Sequence, residues 1–206
     1  MMQKVVLASG NTGKLKEFAS LLAGLSAEVI PQSALGVPEA DETGLSFVEN
    51  AILKARNAAQ HTGLPALADD SGIVVDALQG RPGIYSARFA GAESDSAANN
   101  RKLLTELQGV APEQRTARFR CCIVFMRNAT DPVPLIAEAS WEGRILEALT
   151  GTQGFGYDPL FYVPEYDCSA AELEAAEKNR ISHRGQAMQI LNRLLSEAEL
   201  LYFKSS

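Results

Sequence analysis

Short apolar, β-branched runs alternate with amphipathic stretches along the chain, which predicts strands and helices mixed in an α/β fold. Lys4 to Ala8 is one such run. The polar, Gly-rich Ser9-Gly10-Asn11-Thr12-Gly13 breaks it, and Leu15, Phe18, Leu21 and Leu22 then recur at helical spacing. Ala27 to Pro31 reads as a second strand. Ser46 with Glu49 three residues on forms a capping box, opening a helix that runs to about His61 before Gly63 stops it. Leu64 to Ala68 leads into Asp69-Asp70-Ser71-Gly72, and Ile73 to Leu78 resumes strand character. The two carboxylates are therefore expected at a strand interruption.

Further along, a helix is predicted from about Ser94 to Leu107. Thr116 to Met126 and Val133 to Trp141 read as two long alternating strands around Asn128 and Asp131-Pro132, an antiparallel hairpin. Gly151 to Pro159 is a Gly-rich loop, followed by a short strand at Leu160 to Val163. Two helices close the chain, near Ala170 to Lys178 and from an N-cap at Ser182 onward. With no repeat, low-complexity tract or Pro-rich linker, residues 1–206 are expected to form a single domain.

Composition narrows the function classes. A hydrophobic content of 46% with 21% charged residues excludes bulk disorder. Nineteen Lys and Arg against 25 Asp and Glu give a net charge of −6, which supplies no basic field for nucleic acid. A polyanionic ligand must then be met by a local cluster. Cys121 and Cys122 sit side by side in a predicted strand, pointing to opposite faces, so no disulfide framework is expected. The opening residues carry neither a secretory nor a transit pattern, and no stretch nears the ~18 apolar residues of a membrane span, so the cytoplasm is the expected location and no membrane partner is expected.

Five groups could carry chemistry. Ser9, Gly10, Asn11, Thr12, Gly13 and Lys14 end a strand and open a helix, where small residues and free backbone N–H groups suit a phosphate. The spacing is not that of a Walker A loop, since two residues separate the glycines and Leu15 follows the lysine. In Asp69-Asp70-Ser71-Gly72, extended backbone would send the two carboxylates to opposite sides, so one enters the site and the other supports the loop. An acid beside a phosphate loop calls for a cation, and Mg²⁺ held by Asp70 and the upstream Glu42 resolves the conflict. Whether Asp41 or Glu39 assists Glu42 stays open. Lys54, on the helix after Glu42, could reach the same place.

Phe155, Gly156, Tyr157 and Asp158 alternate rings with small or polar residues, which would set both rings on one side of an extended loop for a flat heterocycle to stack upon. Lys178, Ser182, His183 and Arg184 gather at the start of the last helix, where His183 and Arg184 together could donate to a carbonyl oxygen. Taken singly, each group also reads as turn chemistry, a packed ring or a solvated helix end.

Together, SGNTGK at 9–14, ETG at 42–44, ENAILKA at 49–55, DDSG at 69–72, PGIYSAR at 82–88, GFGYDP at 154–159 and EKNRISHRGQA at 177–187 resemble, in order, the inosine triphosphate pyrophosphatase family and in detail its bacterial branch. The resemblance spans nearly the whole chain. It implies an elongated two-lobed α/β fold with a curved mixed β-sheet, flanking helices and a central substrate cleft, as a homodimer. The implied activity is hydrolysis of noncanonical purine nucleoside triphosphates (ITP, dITP, XTP) to the monophosphate and pyrophosphate.

Residue by residue, the resemblance makes Ser9 to Lys14 the phosphate loop, Lys54 a phosphate contact, and Glu42 and Asp70 the acids handling Mg²⁺ and water, with Asp70 as proton acceptor. Ser71 becomes a substrate contact, Phe155 to Asp158 the nucleotide loop with Phe155 as stacking ring, and Lys178, His183 and Arg184 the base-recognition cluster. One departure is Tyr166-Asp167-Cys168-Ser169, where bacterial relatives often carry Lys or Gly before Thr-Ala-Glu-Leu. Rival readings are a pyrophosphatase for altered pyrimidine nucleotides, a nucleotide sensor without turnover, and nucleic-acid binding. The His183-Arg184 pair, the intact acids and lysines, and the net charge argue against them in turn.

Overall fold

The structure, a computed structural model, describes residues 3–22, 27–91 and 95–202. The chain divides into two compact units. The first comprises the described residues of 1–70, 121–139 and 184–206; the second comprises those of 71–120 and 140–183.

The elements follow the predicted order: β1 (Gln3–Ala8), α1 (Thr12–Leu21), β2 (Ala27–Pro31), α2 (Phe47–Thr62), β3 (Ala66–Val75), α3 (Ser96–Glu106), β4 (Thr116–Met126), β5 (Leu135–Ile145), β6 (Phe161–Val163), β7 (Cys168–Ser169), α4 (Ala175–Ile181) and α5 (His183–Tyr202). The strands form one mixed sheet in the order β2-β1-β3-β4-β5-β6-β7. β1 pairs in parallel with β2 and β3, whereas β5–β6 and β6–β7 are antiparallel. The predicted hairpin is present: Arg118 bonds Glu142 and Arg120 bonds Ser140, so successive partners run in opposite directions along β4 and β5.

In the first unit, strand parity sorts the core. Val5, Leu7, Leu67, Cys121 and Ile123 pack with Phe18 of α1 and Ala187, Met188 and Leu191 of α5. Their neighbours Val6, Ala8, Ala66, Ala68, Cys122 and Val124 face the other way, against Ala51, Ala55, Ala58 and Ala59 of α2. Alanines at three- and four-residue spacing give α2 a low-relief face. The capping region forms as predicted, with the Ser46 hydroxyl accepting from Glu49 N and donating to the Glu49 carboxylate at 2.6 Å; Gly63 closes the helix at φ 67°. All three cysteines are free, and Cys121 and Cys122 lie on opposite faces as expected.

The second unit has its own core, built from Ile73, Leu103, Leu107, Phe119, Trp141, Leu160 and Phe161 with further neighbours. Arg115, buried within this unit, donates to the carbonyls of Val110, Leu146 and Leu107. Among the described residues, no helix is long and apolar enough to cross a membrane.

Four expectations are corrected. β3 runs unbroken through Asp69-Asp70-Ser71-Gly72 and ends at Val75, since ladder pairing such as Leu67 with Leu7 and Ala68 with Ala8 holds the backbone extended up to the acids. β5 is shifted toward the C-terminus and extends to Ile145. The stretch predicted as a helix at 170–178 is a 3-10 turn, Ala170–Glu172, capped by Ser169, and then α4. For α3, Asp95 is the N-cap and accepts from Ala97 N, while Ser94 lies outside the described residues.

Candidate active site

Two candidate residue groups arise, one in each unit. In the first unit the loop after β1 is organised by its own side chains: Ser9 Oγ accepts from Asn11 N at 3.3 Å, and Asn11 Oδ1 accepts from Lys14 N at 3.0 Å as the N-cap of α1. Asn11 thus satisfies one orphan donor of α1, and the other N–H groups of the first turn keep the positive end of the helix dipole at the loop. The end of the Glu39 side chain lies close against Gly10. Glu39, one of the two acids left open by the sequence, therefore borders the loop.

Parity within β3 decides what the paired carboxylates do. Asp70 shares the face of Ala66 and Ala68 and looks toward α2, where Asn50 and Lys54 lie one turn apart. Lys54 Nζ donates to Asp70 at 2.8 Å and to Glu42 at 2.9 Å, so one ammonium joins both acids. Asn50, buried, accepts from Gly44 N at 2.9 Å and contacts Asp70 at 3.5 Å, tying the Glu42-Thr43-Gly44 segment to the same place. Burial pushes the Asp70 carboxyl above the ordinary carboxylate range, and the Lys54 charge offsets this only in part. Lys54 is itself desolvated, yet the charges of Asp70, Asp69 and Glu42 outweigh that and hold it protonated more firmly than usual.

Asp69 shares the face of Leu67 and looks toward α1 and α5. It takes Lys14 at 3.0 Å and Arg184 at 3.3 Å, and Arg184 also pairs with Glu17, one turn beyond Lys14 on α1. Burial alone would raise Asp69, but Lys14, Arg184 and Lys54 together hold it well below the ordinary range. Asp69 is therefore the supporting acid and Asp70 the available one.

In the second unit, Gly154 and Gly156 adopt left-handed φ values of 73° and 63°, so the loop holding Phe155 and Tyr157 is coiled, not extended. This corrects the expectation of two rings on one side. Tyr157 is buried and donates its hydroxyl to Ser86 O at 2.8 Å, whereas Phe155 stays half-buried with Lys178 Nζ 4.9 Å from its ring centroid. Asp158, also buried, accepts from Phe155 N at 2.8 Å and from Lys178 Nζ at 2.6 Å. His183 stacks on Phe119 at 4.8 Å between centroids, with Trp141 at 6.5 Å.

A model of the Ham1 family matches residues 5–194. This chain belongs to the Ham1 family. It is 65% identical to a dITP/XTP pyrophosphatase from Thioalkalivibrio sulfidiphilus over 91% of this chain and 96% of that protein, and 54% identical to one from Vibrio cholerae over 95% and 98%. Among solved structures, a HAM1 protein from Coxiella burnetii superposes with a TM-score of 0.88 at 50% identity, covering 95% of this chain and 100% of the other. A dITP/XTP pyrophosphatase from Mycobacterium abscessus gives a TM-score of 0.72 at 40% identity, covering 92% and 97%.

As a Ham1-family chain, the protein brings Glu42, Lys54 and Asp70 together as its sequence suggested, and Lys178 with the Phe155 loop. Lys178 and His183 belong to the second unit, and Arg184, buried in the first, pairs with Asp69 and Glu17. Ser71, half-buried, follows Asp70 at the start of the second unit. Sequence reasoning missed Asn50, Glu17, Phe119 and Trp141. Spacing held a signal for each, since Asn50 is four residues before Lys54, Glu17 three after Lys14, and Phe119 and Trp141 share the cross-strand register of Arg118–Glu142 and Arg120–Ser140.

Proposed function

We infer that this protein hydrolyses noncanonical purine nucleoside triphosphates, ITP, dITP and XTP, to the monophosphate and pyrophosphate. The observation that carries the reading is Asp70, a desolvated carboxyl joined through Lys54 to Glu42 beside a Gly-rich helix start. Water attacks the α-phosphorus, the bond from that phosphorus to the bridging oxygen of the β-phosphate breaks, and pyrophosphate leaves. Asp70 orients the water and accepts its proton, a role its raised affinity for protons supports. The loop from Ser9 to Gly13 offers N–H groups to the phosphates, and Lys14 and Lys54 offer positive charge; positioning and charge neutralisation dominate such chemistry.

The residues present fit Mg²⁺. Glu42 and Asp70 already converge on one cation, the Lys54 ammonium, and two carboxylate oxygens completed by phosphate and water oxygens are the donor set this ion takes. Among the described residues no third His, Cys, Asp or Glu joins such a cluster. Neutralising the charge on phosphate oxygens is the chemistry the ion supplies when bound.

At the other end of the substrate, Phe155 stacks on the base, and Lys178, His183 and Arg184 donate toward the 6-keto oxygen, with Ser71 as a further contact. A site built to donate there leaves its donors unpaired against an amino group, which can discriminate by about 10⁴-fold. Residues 1–206 act on the nucleotide as a single nucleoside triphosphate pyrophosphatase domain. Supporting this, the chain passes from one unit to the other between Asp70 and Ser71 and again between His183 and Arg184. The protein acts in the cytoplasm as a homodimer, on a small-molecule substrate, without nucleic acid or membrane partners.

The test is pyrophosphate release from ITP, XTP, dITP, GTP and ATP with Mg²⁺, and Asp70→Asn as control. Release from ITP, dITP and XTP but not ATP, lost in the variant, supports the reading. Uniform release, or an active Asp70→Asn protein, overturns it.

A further inference from the structure

The PGIYSAR segment takes no part in the proposed chemistry, yet buried polar groups converge on it within the second unit. Ser86 Oγ accepts from Ile73 N at 2.9 Å and donates to Gly83 O at 2.6 Å, and the Ser86 carbonyl accepts from Tyr157 OH at 2.8 Å. Gly72 is tight against the same residues, for a Cβ there would meet Gly83 O and Ser86 Oγ. On α3, Asn99 accepts from Ala90 N at 2.7 Å and donates to Ala87 O at 3.0 Å, while Asn100 donates to Gly156 O at 3.0 Å. Ser86, Asn99, Asn100 and Tyr157 are all buried. One set of bonds thus holds the strand that continues from Asp70-Ser71, the Gly156 carbonyl and the Tyr157 hydroxyl.

Asn100 is the informative member. Its Nδ2 serves the loop, but its Oδ1 is buried and accepts no hydrogen bond from any described residue. A side chain chosen only to stabilise α3 would not leave an acceptor unmet, since a leucine of similar size would fill the site without that cost. The residue's worth lies in what it does to Gly156.

We propose that Asn100 and Ser86 are positioning residues for base recognition: they hold Gly156 and Tyr157 on one side and the strand after Ser71 on the other, and so set the orientation in which Phe155 meets the base. This rests on the assignment of Phe155 as the stacking ring. The loop is coiled, with left-handed glycines on both sides of Phe155, and these anchors bond the two residues that follow the ring.

The experiment is a double-mutant cycle on the full chain, read as KM and kcat for ITP with melting temperature in parallel. Asn100→Leu is expected to raise KM about tenfold with kcat within about twofold, the loss of one buried donor to the loop. Its melting temperature should move by less than about 3 °C, because an unmet acceptor is removed together with the donor. Phe155→Ala is expected to raise KM at least about fivefold, and adding Asn100→Leu to it should cost nothing more. Tyr157→Phe, which removes only a hydroxyl, should follow the same non-additive pattern and serves if Asn100→Leu fails to fold. Additive effects, or a lower melting temperature with unchanged KM, overturn the positioning role. An unchanged KM in Phe155→Ala overturns the stacking assignment and this proposal with it.

Discussion

Asp69 and Asp70 are adjacent in one strand and both buried, yet their proton affinities shift in opposite directions. Asp69 turns toward α1 and α5, where Lys14 and Arg184 close on it and hold it firmly ionised. Asp70 turns toward α2, where burial raises its proton affinity and one lysine, shared with Glu42, is its cationic partner. The alternation of a β-strand points the two carboxylates at different helices, although Lys54 also acts on Asp69 and Lys14 on Asp70. A catalytic carboxyl needs desolvation more than it needs compensation; a structural one needs the reverse.

This contrast can be broken by substitution. Asp70→Asn should lower pyrophosphate release by about 10³-fold while leaving the melting temperature nearly unchanged, because the general base is lost but the amide keeps the shape. Asp69→Asn should do the opposite and destabilise the fold by about 3–5 kcal/mol, measured from the urea midpoint, because Arg184 is left buried without its main counter-charge. If Asp69→Asn kept full stability and lost only turnover, the division of labour would be wrong. Lys54→Met should raise KM about tenfold, the loss of a charge-assisted hydrogen bond to phosphate. Glu17→Gln should cost only about 1 kcal/mol of stability with kcat unaffected, since Arg184 retains Asp69.

Much of this is legible in the sequence. The strand-loop-helix start, the capped α2, the long hairpin and the opposed faces of Asp69 and Asp70 all follow from apolar periodicity and cap residues, signals that act over a few positions. What was not legible came from contacts distant in sequence. Asp-Asp-Ser-Gly carries turn residues, yet it stays in β3 because β1 pairs with the residues before it and Gly72 admits Gly83 and Ser86 close to its Cα. Phe155 and Tyr157 would share one side only on extended backbone, and two left-handed glycines coil the loop instead. His183 and Arg184 are adjacent, and their partners, Phe119 for one and Asp69 with Glu17 for the other, lie far away in sequence. At a helix start each step turns the side chain by about 100°, which sends them to different surroundings.

The ring packing around His183 has an optical consequence. Trp141 is the chain's single tryptophan, buried, with its ring 6.5 Å from that of His183 and 5.0 Å from that of Phe161. All of the protein's indole emission therefore originates beside one of the groups assigned to the base. Without a label or a coupled assay, the colour and intensity of that emission report on a single locality, so titrating a nucleotide into the protein and watching the spectrum would follow how the imidazole responds as the base arrives.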